Sequence, residues 1–146
     1  MFDYIYYDVD NKTLNEITKI IKSYKGTDTS SKTFTEKGFQ TENIVKLFSK
    51  DILKKIVTIN DLYKKIFWVH FIKYKKGGYQ TEHLHPLDSY SFILYLNDSD
   101  GDTVLKDPVN KNFSPKKGKI IIFSGNILHY AKPSFKGKKI LVGAIK

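Results

Sequence analysis

The chain reads as an α+β protein, with N-terminal supporting helices packed on a double-stranded β-helix (a jelly roll, cupin-like in outline). Three observations predict this. Apolar residues recur at helical spacing in the first part of the chain. From Ile66 onward the pattern changes to short β-branched and aromatic runs separated by Gly, Pro, Asn and Asp. The length of 146 residues, without repeats or an interdomain linker, suits one domain. Helices followed by consecutive antiparallel strands fold as helices against a sheet that closes on itself. The expected organisation is a single domain over 1–146, with 1–62 mainly helical support and 63–146 the jelly-roll core.

Leu14, Ile17, Ile20, Ile21 and Tyr24 predict a helix from Thr13 to Lys25, with Gly26 as its stop signal. The polar run from Thr27 to Gly38 reads as a loop. Ile44, Val45, Phe48, Ile52 and Ile56 predict a second helix from about Glu42 to Lys55, and Asn60 to Lys65 a short helix or turn. Strands are expected at Ile66 to Tyr74, Ser91 to Leu96, Thr103 to Leu105, Lys119 to Phe123 and Lys139 to Ile145. Gly77-Gly78 interrupts the first. Asn97 to Asp102 forms a polar turn, and Asp107 to Lys117 a loop holding Pro108 and Pro115.

Composition narrows the function classes. There is no cysteine, which excludes disulfides, thiolate metal sites and a cysteine nucleophile. No apolar run reaches the ~18 residues of a membrane span, and Met1 to Asp10 does not resemble a secretion signal. The expectation is a cytoplasmic, soluble protein with no membrane partner. The net charge of +10 comes entirely from lysine, because arginine is absent. Lysine, isoleucine, asparagine, tyrosine and phenylalanine are abundant and alanine occurs only as Ala131 and Ala144, the bias that AT-rich codons produce. The lysines are scattered, so a nucleic-acid partner is compatible with the basic surface but not favoured. Nothing in the sequence specifies an oligomeric state.

The histidines carry the chemistry. The chain has four, and three of them form an ordered set: His83 and His85, one residue apart, and His129 far downstream. Side chains at i and i+2 of a strand share a face, so His83 and His85 can occupy adjacent corners of a metal site. Fe(II) in oxygenases takes three protein ligands on one face and leaves three positions open. A distant His followed by a basic residue at the next strand, Lys139, is the layout of a non-heme iron site with an oxo-acid co-substrate. Asp88 is a nearby alternative to His85 as the third ligand, or its orienting partner. His70 is assigned no ligand role.

The segments KYKKGGYQTEHLHP, SFILYLNDSDGDT, PKKGKIIIF and LHYAKPSFKGKKILVGAI, in that order, resemble the iron(II)- and 2-oxoglutarate-dependent oxygenases, in particular their prolyl-hydroxylase-like branch. The resemblance covers residues 66–146. It implies His83 and His129 as iron ligands. His85 stands where the family carries a carboxylate, so the site is read as a three-histidine variant. It implies Lys139 as partner of the far carboxylate of 2-oxoglutarate, with Lys138 its close rival, and Tyr95 and Tyr74 as further co-substrate contacts. With no arginine present, a lysine serves as a point charge.

The cofactors so implied are Fe(II), 2-oxoglutarate as co-substrate and O2. The implied reaction is hydroxylation of an unactivated C–H, with succinate and CO2 as co-products. A peptidyl residue such as proline is the favoured substrate, against a small molecule. Two other readings stay open. One is a three-histidine metal dioxygenase that does not use 2-oxoglutarate. The other is a non-catalytic jelly-roll binding module, since jelly rolls host unrelated functions.

Overall fold

The structure is a computed structural model and describes residues 2–85 and 89–146. Among the described residues nine strands form one curled antiparallel sheet: β1 (Tyr4–Asp8), β2 (Thr35–Gln40), β3 (Ile66–His83), β4 (Tyr90–Tyr95), β5 (Thr103–Leu105), β6 (Lys111–Phe113), β7 (Lys119–Ser124), β8 (His129–Ser134) and β9 (Lys139–Ile145). Their order is β1-β7-β4-β9-β3-β8-β5-β6, with β2 also paired to β3. The described residues also form two α-helices, α1 (Asn11–Lys22) and α2 (Lys50–Ile56), and three short 3-10 turns.

The sheet curls because β3 serves both of its halves. Its first part pairs with β9, from Ile66↔Ile145 to Lys73↔Lys139, and its last part with β8, from Gly78↔Ser134 to His83↔His129. The partner changes at Gly77-Gly78. Gly77 sits at φ +83°, and a Cβ on Gly78 would lie 2.4 Å from the Lys37 carbonyl oxygen, so neither position accepts a side chain.

Alternation divides the core in two. Phe92, Leu94, Ile120, Ile122, Leu141 and Ile145 face outward, where Leu14 and Ile17 of α1 and Leu53 and Ile56 of α2 cover them. Ile93, Tyr95, Ile121, Phe123, Ile140 and Val142 face into the roll with Ile72 and Tyr74. Both faces of β4, β7 and β9 are therefore buried, which is why these strands read as nearly continuous apolar runs. Each fully buried aliphatic contributes about 1.5–3 kcal/mol.

The N-terminal part differs from a purely helical support, since it supplies two strands. β1 is fixed by register on β7. β2 lies in the run expected to be a loop, and its inward positions are Thr35, Gly38 and Gln40, which give no apolar signal. The second expected helix starts late. The Thr41 and Ile44 amides donate to the Phe71 and Val69 carbonyls, which holds this stretch along β3, and Ser49 then caps α2 at the Ile52 amide. No helix among the described residues is long and apolar enough to cross a membrane.

Candidate metal centre

His83 closes β3 and His129 opens β8, directly opposite in register. His85 lies beyond the strand, its backbone N–H donating to the Gly125 carbonyl at 3.0 Å. The three imidazoles converge. Ring centroids are 4.1 Å apart for His83–His129, 5.0 Å for His83–His85 and 5.1 Å for His85–His129. One nitrogen from each lies within 4.8 Å of the others. The structure thus brings together the set that spacing singled out. Pro86 and Asp88 lie outside the described residues.

Backbone carbonyls set the tautomers. His83 Nδ1 lies 2.7 Å from the Thr81 oxygen and His129 Nδ1 3.0 Å from the Ile127 oxygen. A carbonyl only accepts, so each Nδ1 carries the proton and each Nε2 keeps a free lone pair. Burial holds the rings neutral, pushing His129 down to about 3 and His85, half-exposed though it is, down to about 4. His83 is lowered as well, against the opposing pull of its Thr81 bond. Neutral, pre-oriented imidazoles in a close cluster are a donor set that fits a first-row divalent metal such as Fe(II).

Aromatic rings wall this cluster. Phe34 stacks on His83 at 4.2 Å and 8°, Phe123 meets His129 edge-on at 4.7 Å, and Trp68 stands 6.0 Å from His85. The histidines border a cavity of about 290 Å³, lined also by Lys32, Gln40, His70, Gln80, Ser91, Ile93 and Val142. His70 stays outside the cluster and bonds through Nδ1 to the Thr41 carbonyl at 2.9 Å. Ser91, buried, has a hydroxyl with no partner among the described residues. Its parity with Ile93 and Tyr95 on β4 was the available signal for it. Phe34, just before β2, and Gln40, at its end, had none, because β2 was not legible as a strand.

A second polar group lies deeper in the roll. Lys138 is 1% exposed, donates from Nζ to the Gly101 carbonyl at 2.7 Å, and lies 4.4 Å over the Tyr74 ring. Burial pushes its ammonium down to about 8, while Asp100 and Asp102 pull it back up. Asp100 is already engaged by Ser134 Oγ and by the Phe135 and Lys136 amides. Lys138 itself forms no ion pair among the described residues. Tyr74 Oη is buried with no partner among the described residues, and Tyr95 Oη pairs with Thr103 Oγ1. Burial raises both phenols well above their ordinary range.

Lys139, expected as the inward base, is exposed and lies opposite Lys73 on the outer side of β9. The inward parity runs through Lys138, Ile140 and Val142, and the Tyr74 N–H to Lys138 carbonyl bond fixes it.

No protein-family model and no curated protein sequence matches the chain. Solved structures do. A prolyl-4-hydroxylase from Pseudomonas putida is similar at 16% identity over 99% of this chain and 92% of that one, with a TM-score of 0.65. A prolyl hydroxylase from Trichoplax adhaerens, in complex with a hypoxia inducible factor oxygen degradation domain peptide fragment, is similar at 14% identity, covering 98% and 83%, with a TM-score of 0.68. HygX from Streptomyces hygroscopicus, with nickel and 2-oxoglutarate bound, is 6% identical over 97% and 82%, with a TM-score of 0.71. At these identities the likeness is one of architecture, and the chain has the double-stranded β-helix fold of these proteins.

Proposed function

We propose that the protein is an Fe(II)- and 2-oxoglutarate-dependent dioxygenase that hydroxylates an unactivated C–H, on a peptidyl residue such as proline. The observation that carries this reading is the order of groups inside the roll. Neutral imidazole donors stand at one end, a buried unpaired ammonium at the other, and aliphatic side chains between them. 2-Oxoglutarate has the matching order: a chelating 2-oxo acid, two methylenes and a far carboxylate. Solved structures of like fold, one holding 2-oxoglutarate and one a peptide, support the same reading.

In this reading His83, His85 and His129 hold the iron. Three neutral imidazoles leave its formal charge at +2, which a dianionic co-substrate balances. Lys138, in place of the expected Lys139, takes the far carboxylate as a point charge, and Tyr74 Oη donates to the same group. Thr103 keeps Tyr95 oriented beside them. Ile93 and Val142 line the cavity and Lys138 does not, so in this reading the far carboxylate extends beyond the present lining to reach Lys138. Iron with bound 2-oxoglutarate supplies the oxidising power toward C–H once O2 is admitted, and the protein supplies position and exclusion of water. A cytoplasmic location belongs to the same reading.

The test is an anaerobic titration with Fe(II) and then 2-oxoglutarate, read by the visible charge-transfer band of the chelate, followed by air and a succinate assay. A band and slow succinate formation are expected. Iron binding without a band would point to a three-histidine enzyme outside the 2-oxoglutarate class. No metal binding would leave a non-catalytic binding module.

A further inference from the structure

Two primary amides in the cavity wall present one donor and one acceptor that the protein leaves unused. Gln40 of β2, only 6% exposed, and Gln80 of β3 both line the cavity beside the histidines. Thr35 Oγ1, buried, stands between them. It donates to Gln40 Oε1 at 2.8 Å and accepts from Gln80 Nε2 at 3.3 Å. No hydrogen bond within the described residues involves Gln40 Nε2 or Gln80 Oε1. A hydroxyl has one proton, so the relay is directional. Reversing it would exchange the two glutamines' roles and still leave one amide nitrogen and one amide oxygen for the cavity.

We propose that this relay reads the peptide backbone next to the residue to be oxidised. Gln40 Nε2 donates to a backbone carbonyl, and Gln80 Oε1 accepts from a backbone N–H. The proposal deepens the oxygenase reading and rests on it. The relay is held in place before any ligand arrives. Asp28 Oδ1 accepts from the Gln40 N–H at 3.0 Å and from the Ser30 N–H at 2.9 Å, which ties the β2 end to the segment carrying Lys32 and Phe34. Preorganised polar atoms lose little entropy on binding. Their recognition is also neutral in kind, since the described lining holds one lysine, Lys32, and no carboxylate. A pyrimidine imide edge offers the same donor and acceptor, but each nucleotide also brings a phosphate, and a single lysine at the wall is poor provision for a polyanion.

The test uses the whole chain loaded with Mn(II) and 2-oxoglutarate, which binds without turnover. Three probes are titrated: N-acetylproline N-methylamide, the corresponding methyl ester, in which oxygen replaces the N–H, and thymidine. Mn(II)-enhanced relaxation of the probe protons reports binding near the metal. The amide is expected to bind at least tenfold tighter than the ester. Gln80→Met is expected to abolish that preference while 2-oxoglutarate binds as before. Equal binding of amide and ester, a preference that survives Gln80→Met, thymidine bound in preference to the amide, or no probe bound by the loaded protein would each overturn the proposal. Failure of Mn(II) or 2-oxoglutarate to bind at all is seen before any probe is added. That outcome removes the oxygenase reading and this proposal together.

Discussion

Lys138→Met tests whether the buried ammonium is kept for a ligand at the expense of stability. The side chain is 1% exposed, and burial pushes its ammonium down to about 8 from the ordinary 10.5. At 1.36 kcal/mol per pKa unit, that depression corresponds to roughly 3 kcal/mol held against the charged form. Methionine has a similar shape and no charge. It gives up the Nζ bond to the Gly101 carbonyl, worth about 1 kcal/mol. The apoprotein at pH 7 should therefore gain about 2 kcal/mol, a rise in Tm of roughly 4–8 °C, while the charge-transfer band with 2-oxoglutarate disappears. The sign with pH follows from the depressed value. Between about 8 and 10.5 the unfolded lysine holds a proton that the folded one has released, so wild-type stability gains on the variant as pH rises through that window. Thermal unfolding of both proteins from pH 7 to 10.5 measures it. A lower Tm for Lys138→Met at pH 7, or a difference independent of pH, would refute the claim that this ammonium is buried at a cost. A retained band would refute its role toward the carboxylate.

Three other perturbations separate metal, co-substrate and scaffold. Excess Mn(II) should stabilise the wild type by about 2.7 kcal/mol at one hundred times Kd, read as a higher Tm, and His129→Ala should remove that increment while its apo far-UV spectrum stays native; a variant that merely unfolds would make His129 a core residue. Val142→Phe, in the cavity lining, should leave metal binding intact and block the charge-transfer band, at about 1–3 kcal/mol in stability from overpacking; equal loss of metal and 2-oxoglutarate binding would contradict a separate co-substrate lobe. Thr103→Val strips Tyr95 of its partner and should cost about 1–3 kcal/mol for an orphaned buried hydroxyl, read by urea denaturation; an unchanged midpoint would mean the pair is already solvated.

How much of this was legible in the sequence depended on which face of each strand was apolar. β4, β7 and β9 are buried on both sides, so their runs stood out and their bounds came close. β2 and β8 were missed because their inward residues are Thr35, Gln40, His129, Ala131 and Ser134, positions that bury polar or small groups and carry no apolar period. The histidines were legible by spacing, but the geometric reason was incomplete. His83 ends its strand, and His85 reaches the cluster from a loop held by Gly125, so the i, i+2 rule located the pair without describing it. The lysines show where pattern runs out. Lys138 and Lys139 follow Gly137, which adopts φ +70°, and local sequence does not say on which residue β9 resumes its alternation. That parity is set across the sheet by Tyr74 N–H on the Lys138 carbonyl and by Ile72 opposite Ile140. A slip of one residue would turn the ammonium out to solvent and Ile140 with it. Burial of the aliphatic side chains in the roll thus selects which lysine enters, and the candidate carboxylate site inherits its position from core packing.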